Sequence, residues 1–230
     1  MARPALTIHG FLVHARPQGE RHWICTFFTL EKGKLQCRFQ GKVPESARQF
    51  ESKLIQSDSG YRASDFRYVD KLLLESGPSS YFTLYLNELI YRLLPFEIPD
   101  PSVYGCYISS VMQLAAGQHA QSIIRYFEMK LLQMLGMAVD FNRDINNKTV
   151  SANQQYRFVA GQGFLPDLQG RFGGERILAA GRLDVDVPGA LSVARDCLAQ
   201  QIEFVTNGIP IVSRRWPLVI EKSSLRSGNQ

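Results

Sequence analysis

Apolar residues in the first third of the chain fall in short blocks separated by turn sequences. The stretch ALTIHGFLVHARPQGERHWICTFFTLEKGKLQCRFQGK is divided at RPQGER and LEKGKL, each with a glycine suited to a positive φ. These blocks predict three strands, at 5–15, 21–30 and 34–40. Weaker signals predict two more strands, at 52–57 and 65–74, and the later part of the last one also suits the start of a helix. Several short antiparallel strands of this kind are typical of a small barrel.

The rest of the chain has mainly helical spacing. Apolar residues recur every three or four positions and predict four helices, at 81–94, 103–117, 119–137 and 187–208. A hairpin is predicted across Gly161-Gln162-Gly163, whereas the FGG at 172–174 is interpreted as a turn. We therefore predict an α+β protein with two domains: a barrel in 1–77, and a mainly helical domain in 78–230 with an irregular hairpin region at 138–186.

One predicted helix, YFTLYLNELIYRLL, carries two polar residues within an apolar surface. Asn87 and Glu88 stand side by side in a helix that is apolar on most sides and is therefore expected to be buried. Unsatisfied polar groups inside a protein cost about 1–3 kcal/mol each. We expect the pair to have a structural role, fixing the helix to the barrel or to a later helix, for example through an arginine.

The bulk composition excludes several classes of protein. Apolar residues make up 45% of the chain and charged residues 20%, which is ordinary for a globular protein. No apolar run is long enough to span a bilayer and no signal peptide is recognisable, so the expected location is the cytoplasm without membrane association. The four cysteines and four histidines form no metal-ligand spacing, so no metal and no cofactor are expected. No catalytic motif such as GxxxxGK[ST], GxSxG or HExxH occurs, so an enzyme is disfavoured.

Positive charge is concentrated at the start of the chain. Residues 1–50 hold eight Lys and Arg against three Asp and Glu, whereas the remainder is balanced. A local basic excess indicates a polyanionic partner. The expected phosphate contacts are Arg16, Arg21, Lys32, Lys34, Arg38, Lys42 and Arg48. Four nearby aromatic residues are either stacking faces for bases or barrel core: Trp23, Phe27, Phe28 and Phe39.

The third predicted helix offers a second candidate surface. Arg125 and Lys130 lie beside Tyr126 and Met129, a combination that suits a peptide ending in an aromatic residue and a free carboxylate. The alternative is an amphipathic core helix with two solvated cations.

Motifs spread through the chain resemble the bacterial recombination mediator RecO family. The first segment is similar to its N-terminal OB-fold, a small five-stranded barrel. YLNELIYRLLP is similar to the family's helix after the barrel, and RYFEMKLLQMLGMAVDF to its FE-x-x-LL-x-x-LG segment. QYRFVAGQGF and GIPIVSRR match the later hairpin and the SR ending. The order and spacing of these motifs cover most of the chain.

The resemblance implies a specific activity. Family members bind single- and double-stranded DNA and anneal complementary strands. With RecR they load RecA onto DNA coated by single-stranded-DNA-binding protein, whose acidic C-terminal tail they recognise. Carried over by position, the DNA surface falls on the barrel cations, and Arg125 is the expected partner of the tail's carboxylate.

The chain departs from the family pattern in two places. Many members have a four-cysteine zinc site where this chain reads DFNRDINNKTVSANQ, so zinc is not expected here. The basic loop after the third strand is reduced to GKVPESARQ, with only Lys42 and Arg48. Two competing hypotheses therefore stay open: a protein-interaction scaffold that has lost DNA binding, and an unrelated enzyme.

Overall fold

The computed structural model describes residues 5–57, 60–69 and 78–215. The backbone divides into two compact units: residues 1–118 together with 211–230, and residues 119–210. The first unit contains the barrel and the first two helices, so these units do not coincide with the domains predicted to meet at residue 77.

Five strands of the first unit form a closed barrel in the order β1-β2-β3-β5-β4. The strands are β1 Leu6–Pro17, β2 His22–Thr29, β3 Gly33–Gln40, β4 Phe50–Ser57 and β5 Gly60–Tyr68. The predicted barrel and the α+β class are confirmed. The last strand begins earlier than predicted, at Gly60, and predicted strand residues 70–74 lie outside the described residues.

A β-bulge in β1 reverses which side chains face the barrel interior. Ile8 and Leu12 point inward before the bulge, and the register with β2 then shifts between Leu12 and His14. Beyond the shift Ala15 packs on the core, so His14 and Arg16 face outward. One extra residue in a strand moves every later side chain to the other face. The bulge at Val13 therefore places Arg16 on the outer surface.

Helices α1 (Pro78–Leu93) and α2 (Pro101–Ala115) follow the barrel in the first unit. Asp100 caps α2 by accepting hydrogen bonds from the backbone N–H groups of Ser102 and Val103 at 2.8 and 3.0 Å. Proline at the next position suits a helix start, because its missing N–H would have no intrahelical partner. The sequence Asp-Pro therefore defines where α2 begins.

Asn87 is buried on α1 between the barrel and α2. The Tyr107 hydroxyl of α2 donates to Asn87 Oδ1 at 2.6 Å, and Asn87 Nδ2 approaches the Leu12 carbonyl of β1 at 3.5 Å. Leu12 is the residue just before the bulge. Asn87 thus contacts the point at which β1 changes its inward-facing side.

Glu88 binds the last described segment of the chain, a 3-10 turn at Val212–Arg215. Its carboxylate accepts hydrogen bonds from the backbone N–H groups of Val212 (3.0 Å) and Ser213 (2.8 Å), and from the Ser213 hydroxyl (2.5 Å). Burial by itself raises the pKa of Glu88. These hydrogen bonds and the charge of nearby Arg92 together lower it by a larger amount, so the net pKa lies below its ordinary value. We call this contact the Glu88 clasp.

The second unit contains three helices and a small sheet. Its elements are α3 Ala120–Met134, β6 Gln155–Val159, β7 Gly163–Pro166, β8 Phe172–Gly173, α4 Gly174–Gly181 and α5 Ala190–Val205. The predicted hairpin is confirmed as β6–β7, within a sheet of order β7-β6-β8. The turn predicted at 172–174 is wrong, because Phe172 and Gly173 pair with β6 and Gly174 begins α4. No helix in the described part of the chain has the length and apolar character that crossing a membrane requires.

We expect Glu88→Ala to lower the free energy of unfolding by about 2–3 kcal/mol, because it leaves the partly buried Ser213 N–H and hydroxyl without their acceptor. Urea denaturation followed by circular dichroism measures the change. Glu45→Ala is the control, since the Glu45 carboxylate forms an exposed ion pair with Arg48, and such pairs contribute about 0–1 kcal/mol. Equal effects of the two substitutions would contradict a structural role for the clasp.

Candidate nucleic-acid interface

Three arginines lie in one row across the outside of the barrel. Arg16 of β1 is opposite Ile24 of β2, which is opposite Arg38 of β3, which is opposite Arg62 of β5. Directly opposed residues of neighbouring strands share a face, and strands are about 4.8 Å apart. The row from Arg16 to Arg62 therefore spans about 14 Å. We call Arg16, Arg38 and Arg62 the arginine row.

The arginine row is exposed and is not neutralised by neighbouring acids. Within the described residues, none of the three guanidinium groups forms an ion pair with a carboxylate. On another part of the barrel surface the charges are paired. Lys53 lies 2.9 Å from Asp65, and Arg67 lies 2.7 Å from Glu51. The barrel therefore has one cationic face and one face on which opposite charges compensate each other.

Charge pairing on the compensated face extends to a histidine. His9 lies 2.7 Å from Glu31 and 3.4 Å from Glu51. The hydrogen bond to Glu31 is the main cause that raises the pKa of His9 above its ordinary value. We call His9, Glu31, Glu51, Lys53, Asp65 and Arg67 the paired face.

The other predicted barrel cations are distributed unevenly. Arg21 and Lys42 are exposed in neighbouring loops, and the N–H of Gly41 donates to the Arg21 carbonyl at 3.0 Å. Lys32 lies in the β2–β3 turn, six residues or about 20 Å along the strand from Arg38. Arg48 lies 3.3 Å from Glu45 and its guanidinium stacks 3.7 Å from the Tyr68 ring. The structure thus groups Arg21 and Lys42 in adjoining loops but separates Lys32 from Arg38.

Lys34 is not at the surface. It is 3% exposed, and its ammonium donates to the Tyr91 carbonyl in the last turn of α1 at 2.8 Å and lies 4.2 Å from the Phe96 ring centroid. Burial lowers the pKa of Lys34 to about 8. A cation at a helix C-terminus is favourable because the last carbonyls lack intrahelical partners. Lys34 therefore joins the barrel to helix α1, and its buried ammonium is not accessible to a phosphate.

The aromatic residues near the predicted interface belong to the core. Phe27 and Phe39 are buried inside the barrel, and Phe28 is buried against Tyr104 and Tyr107 of α2. Trp23 is half-buried and packs on the same core. The core interpretation is confirmed for the three phenylalanines, so they offer no stacking face to a base.

The α3 residues predicted to bind a peptide do not all share one surface. Tyr126 is half exposed, and the Lys130 ammonium lies 5.8 Å from its ring centroid. Arg125 is 8% exposed, and its Nη2 lies 3.1 Å from a carboxylate oxygen of fully buried Glu128. Arg125 Nε and Nη1 are buried and make no hydrogen bond among the described residues. Arg125 is therefore buried beside Glu128, whereas Tyr126 is exposed and Lys130 is half-buried.

Residues 140–154, the segment that the sequence resemblance relates to a zinc region in the family, form local hydrogen bonds with each other. Asp144 accepts from the N–H groups of Asn146 and Lys148, both at 2.9 Å, and Arg143 donates to the Asn147 carbonyl at 3.1 Å. Within residues 5–57, 60–69 and 78–215, no group of three or more His, Cys, Asp or Glu is placed to hold a metal. The short side chains of Asp and Asn here form local turns.

Comparison with known proteins identifies the family. Residues 74–192 match the family model described as "Recombination protein O C terminal". A protein named DNA repair protein RecO from Pseudomonas paraeruginosa is 31% identical, with 89% of this chain and 91% of the relative covered. RecO of Pseudomonas putida is 30% identical, over 89% and 94% of the two chains. RecO of Stutzerimonas stutzeri is 29% identical, over 97% and 99%. The chain belongs to the RecO family.

Membership of the RecO family assigns the chain to DNA repair and recombination. Two of the segments that resemble RecO motifs meet in the structure. The NEL motif of α1 supplies Glu88, and the SR motif near the end of the chain supplies Ser213, and these two residues bond to each other. The motifs are therefore two halves of one contact.

Sequence reasoning missed Arg62 of the arginine row in this RecO-family chain. Tyr61 and Ala63 pack on the core and alternate with outward Arg62, which is a strand signal. Asp65 has a positive φ of 50°, and the β4–β5 register shifts near it. The alternation therefore breaks after a few residues. Reading the YRAS alternation by itself identifies the strand and its outward arginine.

We expect the stability of the wild type to rise relative to that of Lys34→Met between pH 8 and pH 10. The folded-state pKa of Lys34, about 8, is lower than its ordinary value of 10.5, so the unfolded chain binds more protons in this interval. The relative gain is on the order of 1–3 kcal/mol and is absent below pH 8. Urea denaturation of both proteins at a series of pH values measures it. A constant difference across this range would contradict the buried position of Lys34.

Proposed function

We propose that this protein is a recombination mediator that holds DNA by its phosphates, anneals complementary strands, and helps to load RecA onto single-stranded DNA coated by its binding protein. The observation that supports this proposal most directly is the arginine row. Three exposed guanidinium groups, which have no carboxylate partner among the described residues, form a favourable contact for a phosphodiester backbone.

The charge balance of the two units supports the same surface. Residues 119–210 contain nine basic and nine acidic residues, so the net charge of +5 belongs to the unit that contains the barrel. Several arginines of the second unit have acidic partners, among them Arg171 with Asp196 at 2.5 Å and Arg157 with Asp167 at 3.7 Å. A polyanion therefore gains most by binding the barrel.

The chemistry of the arginine row suits strand annealing. Ile24 lies between Arg16 and Arg38, and Arg62 continues the row, so the row itself presents three guanidinium groups and one aliphatic side chain, without an aromatic ring. Aromatic platforms bind bases by stacking, which occupies the bases. A surface that contacts phosphates alone leaves the bases exposed to pair with a second strand. We infer that the bound strand keeps its bases available in this way.

Capture of the coating protein's acidic tail is assigned to α3. Tyr126 and Lys130 supply an exposed aromatic ring and a cation, and Arg125 supplies two buried donors, Nε and Nη1, without a hydrogen-bond partner among the described residues. A terminal carboxylate that reaches these donors satisfies them, which repays part of their burial cost. RecR is the expected second partner in loading RecA.

We expect Arg38→Ala/Arg62→Ala to weaken binding to a single-stranded oligonucleotide by tenfold or more at low salt. The log–log salt slope is expected to become less negative by about 1.4, since each phosphate contact on a single strand contributes about 0.7. Fluorescence anisotropy at several salt concentrations measures both quantities, and a fluorescence annealing assay measures the accompanying loss of annealing.

The matched control is Lys53→Ala/Arg67→Ala, which removes two cations from the paired face of the same barrel. We expect the control to retain most of the affinity and the annealing rate. Equal losses in the two double variants would mean that overall charge, and not the arginine row, determines binding.

Tail capture is tested with the ligand altered and the protein unchanged. We expect an acidic peptide with an aromatic last residue to bind at least tenfold more tightly with a free C-terminal carboxylate than with a C-terminal amide, because the amide removes the charge that pairs with Arg125. Isothermal titration calorimetry measures both affinities. Equal binding of the two peptides would exclude carboxylate recognition at α3.

A further inference from the structure

The outer face of β1 continues from the arginine row towards helix α1. His14 lies two residues before Arg16 on the same face, because both follow the bulge at Val13. The imidazole of His14 stacks on the Tyr91 ring, with centroids 4.3 Å apart and planes inclined by 22°. This stacking joins the barrel surface to the last turn of α1.

Arg92 follows Tyr91 at the same end of the helix. Its guanidinium lies 5.8 Å from the Tyr91 ring centroid and 3.7 Å from Glu88. Glu88 also accepts three hydrogen bonds from Val212 and Ser213, which stabilise its negative charge, so Arg92 is one of several partners of this carboxylate. The Arg92 side chain is 36% exposed, which leaves it accessible to an anion.

Positive groups crowd around His14. Burial is the main cause that lowers the pKa of His14, and the charges of Arg92 and Arg16 lower it further. The two arginines therefore act on the imidazole from opposite elements, one from α1 and one from β1. Like charges gathered on one surface repel each other unless an anion neutralises them.

We propose that the phosphate-binding surface extends from the arginine row across His14 to Arg92, so that one nucleic-acid strand crosses from the barrel onto helix α1. This inference rests on the proposed function and deepens it. The row itself covers about 14 Å, and two residues along β1 followed by the helix end add roughly 10 Å. The occupant is a phosphodiester backbone, because the extension offers cations and a stacked imidazole but no pocket for a base.

Oligonucleotide length tests the extension. OB-fold surfaces occupy about 4–16 nucleotides, so we compare single strands of about 4 and about 12 nucleotides. We expect Arg92→Gln to weaken binding of the longer strand by about three- to tenfold and to make its salt slope less negative by about 0.7, with little effect on the shorter strand. Arg92→Lys, which keeps the charge, is expected to retain most of the affinity.

Protonation of His14 provides a second measurement. A nearby phosphate favours the charged imidazole, so affinity for the longer strand is expected to rise as pH falls from 7 to 5.5, and His14→Gln is expected to remove this rise. The other titratable or charged groups that face the imidazole are Arg16, Tyr91 and Arg92. Lys34, 5.9 Å from the Tyr91 ring, has a pKa of about 8, which lies above this pH range.

The possible outcomes separate this inference from the proposed function. If Arg38→Ala/Arg62→Ala reduces binding at both lengths while Arg92→Gln and His14→Gln change nothing, the strand stays on the barrel and the extension is refuted. If Arg92→Gln weakens only the longer strand and Arg92→Lys restores it, the extension is supported. Thermal unfolding of each variant identifies any loss that comes from misfolding, and an unfolded Arg92→Gln leaves His14→Gln and its pH profile to decide.

Discussion

The first unit depends on one constraint, which is that the polar residues Asn87 and Glu88 of the otherwise apolar helix α1 need hydrogen-bond partners. Asn87 accepts a hydrogen bond from the Tyr107 hydroxyl, and its amide nitrogen approaches the Leu12 carbonyl. Glu88 accepts hydrogen bonds from two backbone N–H groups and a hydroxyl of the 3-10 turn. These partners belong to three elements: α2, β1 and the 3-10 turn. Because leaving any of these groups unpaired costs free energy, the pair fixes a barrel strand, a second helix and the last described segment against α1.

The arrangement of charge on the barrel follows from strand geometry. Strict alternation along β1 would turn Arg16 inward, and the bulge beside Leu12 turns it outward, in register with Arg38 and Arg62. On the paired face, each cation lies against an acid and offers a polyanion little gain. The local excess of positive charge is therefore accessible along the arginine row, whereas the cations of the paired face are compensated by acids.

Sequence patterns predict the elements well where periodicity is unbroken, as in β2, β3, α1 and α5. They fail where backbone geometry interrupts the pattern, as at Asp65 in β5, or where glycines begin a helix, as at Gly174. Gly174 is required there because a Cβ would collide with the Ser151 carbonyl.

Lys34 shows a different limit of sequence-based prediction. A lysine in an alternating strand is expected to be solvated, and only the later helix end, 57 residues away, buries it. Composition locates positive charge in the chain but not its accessibility.

The Glu88 clasp joins residues that are 125 positions apart, with the whole second unit encoded between them. Ribosomes add about 5–20 residues per second, so Ser213 emerges roughly 6–25 s after Glu88. During that interval the residues of the barrel and its first helices have been synthesised, but the donors that bind the Glu88 carboxylate have not. The order of synthesis therefore makes the N-terminal unit, which begins first, the one that finishes last.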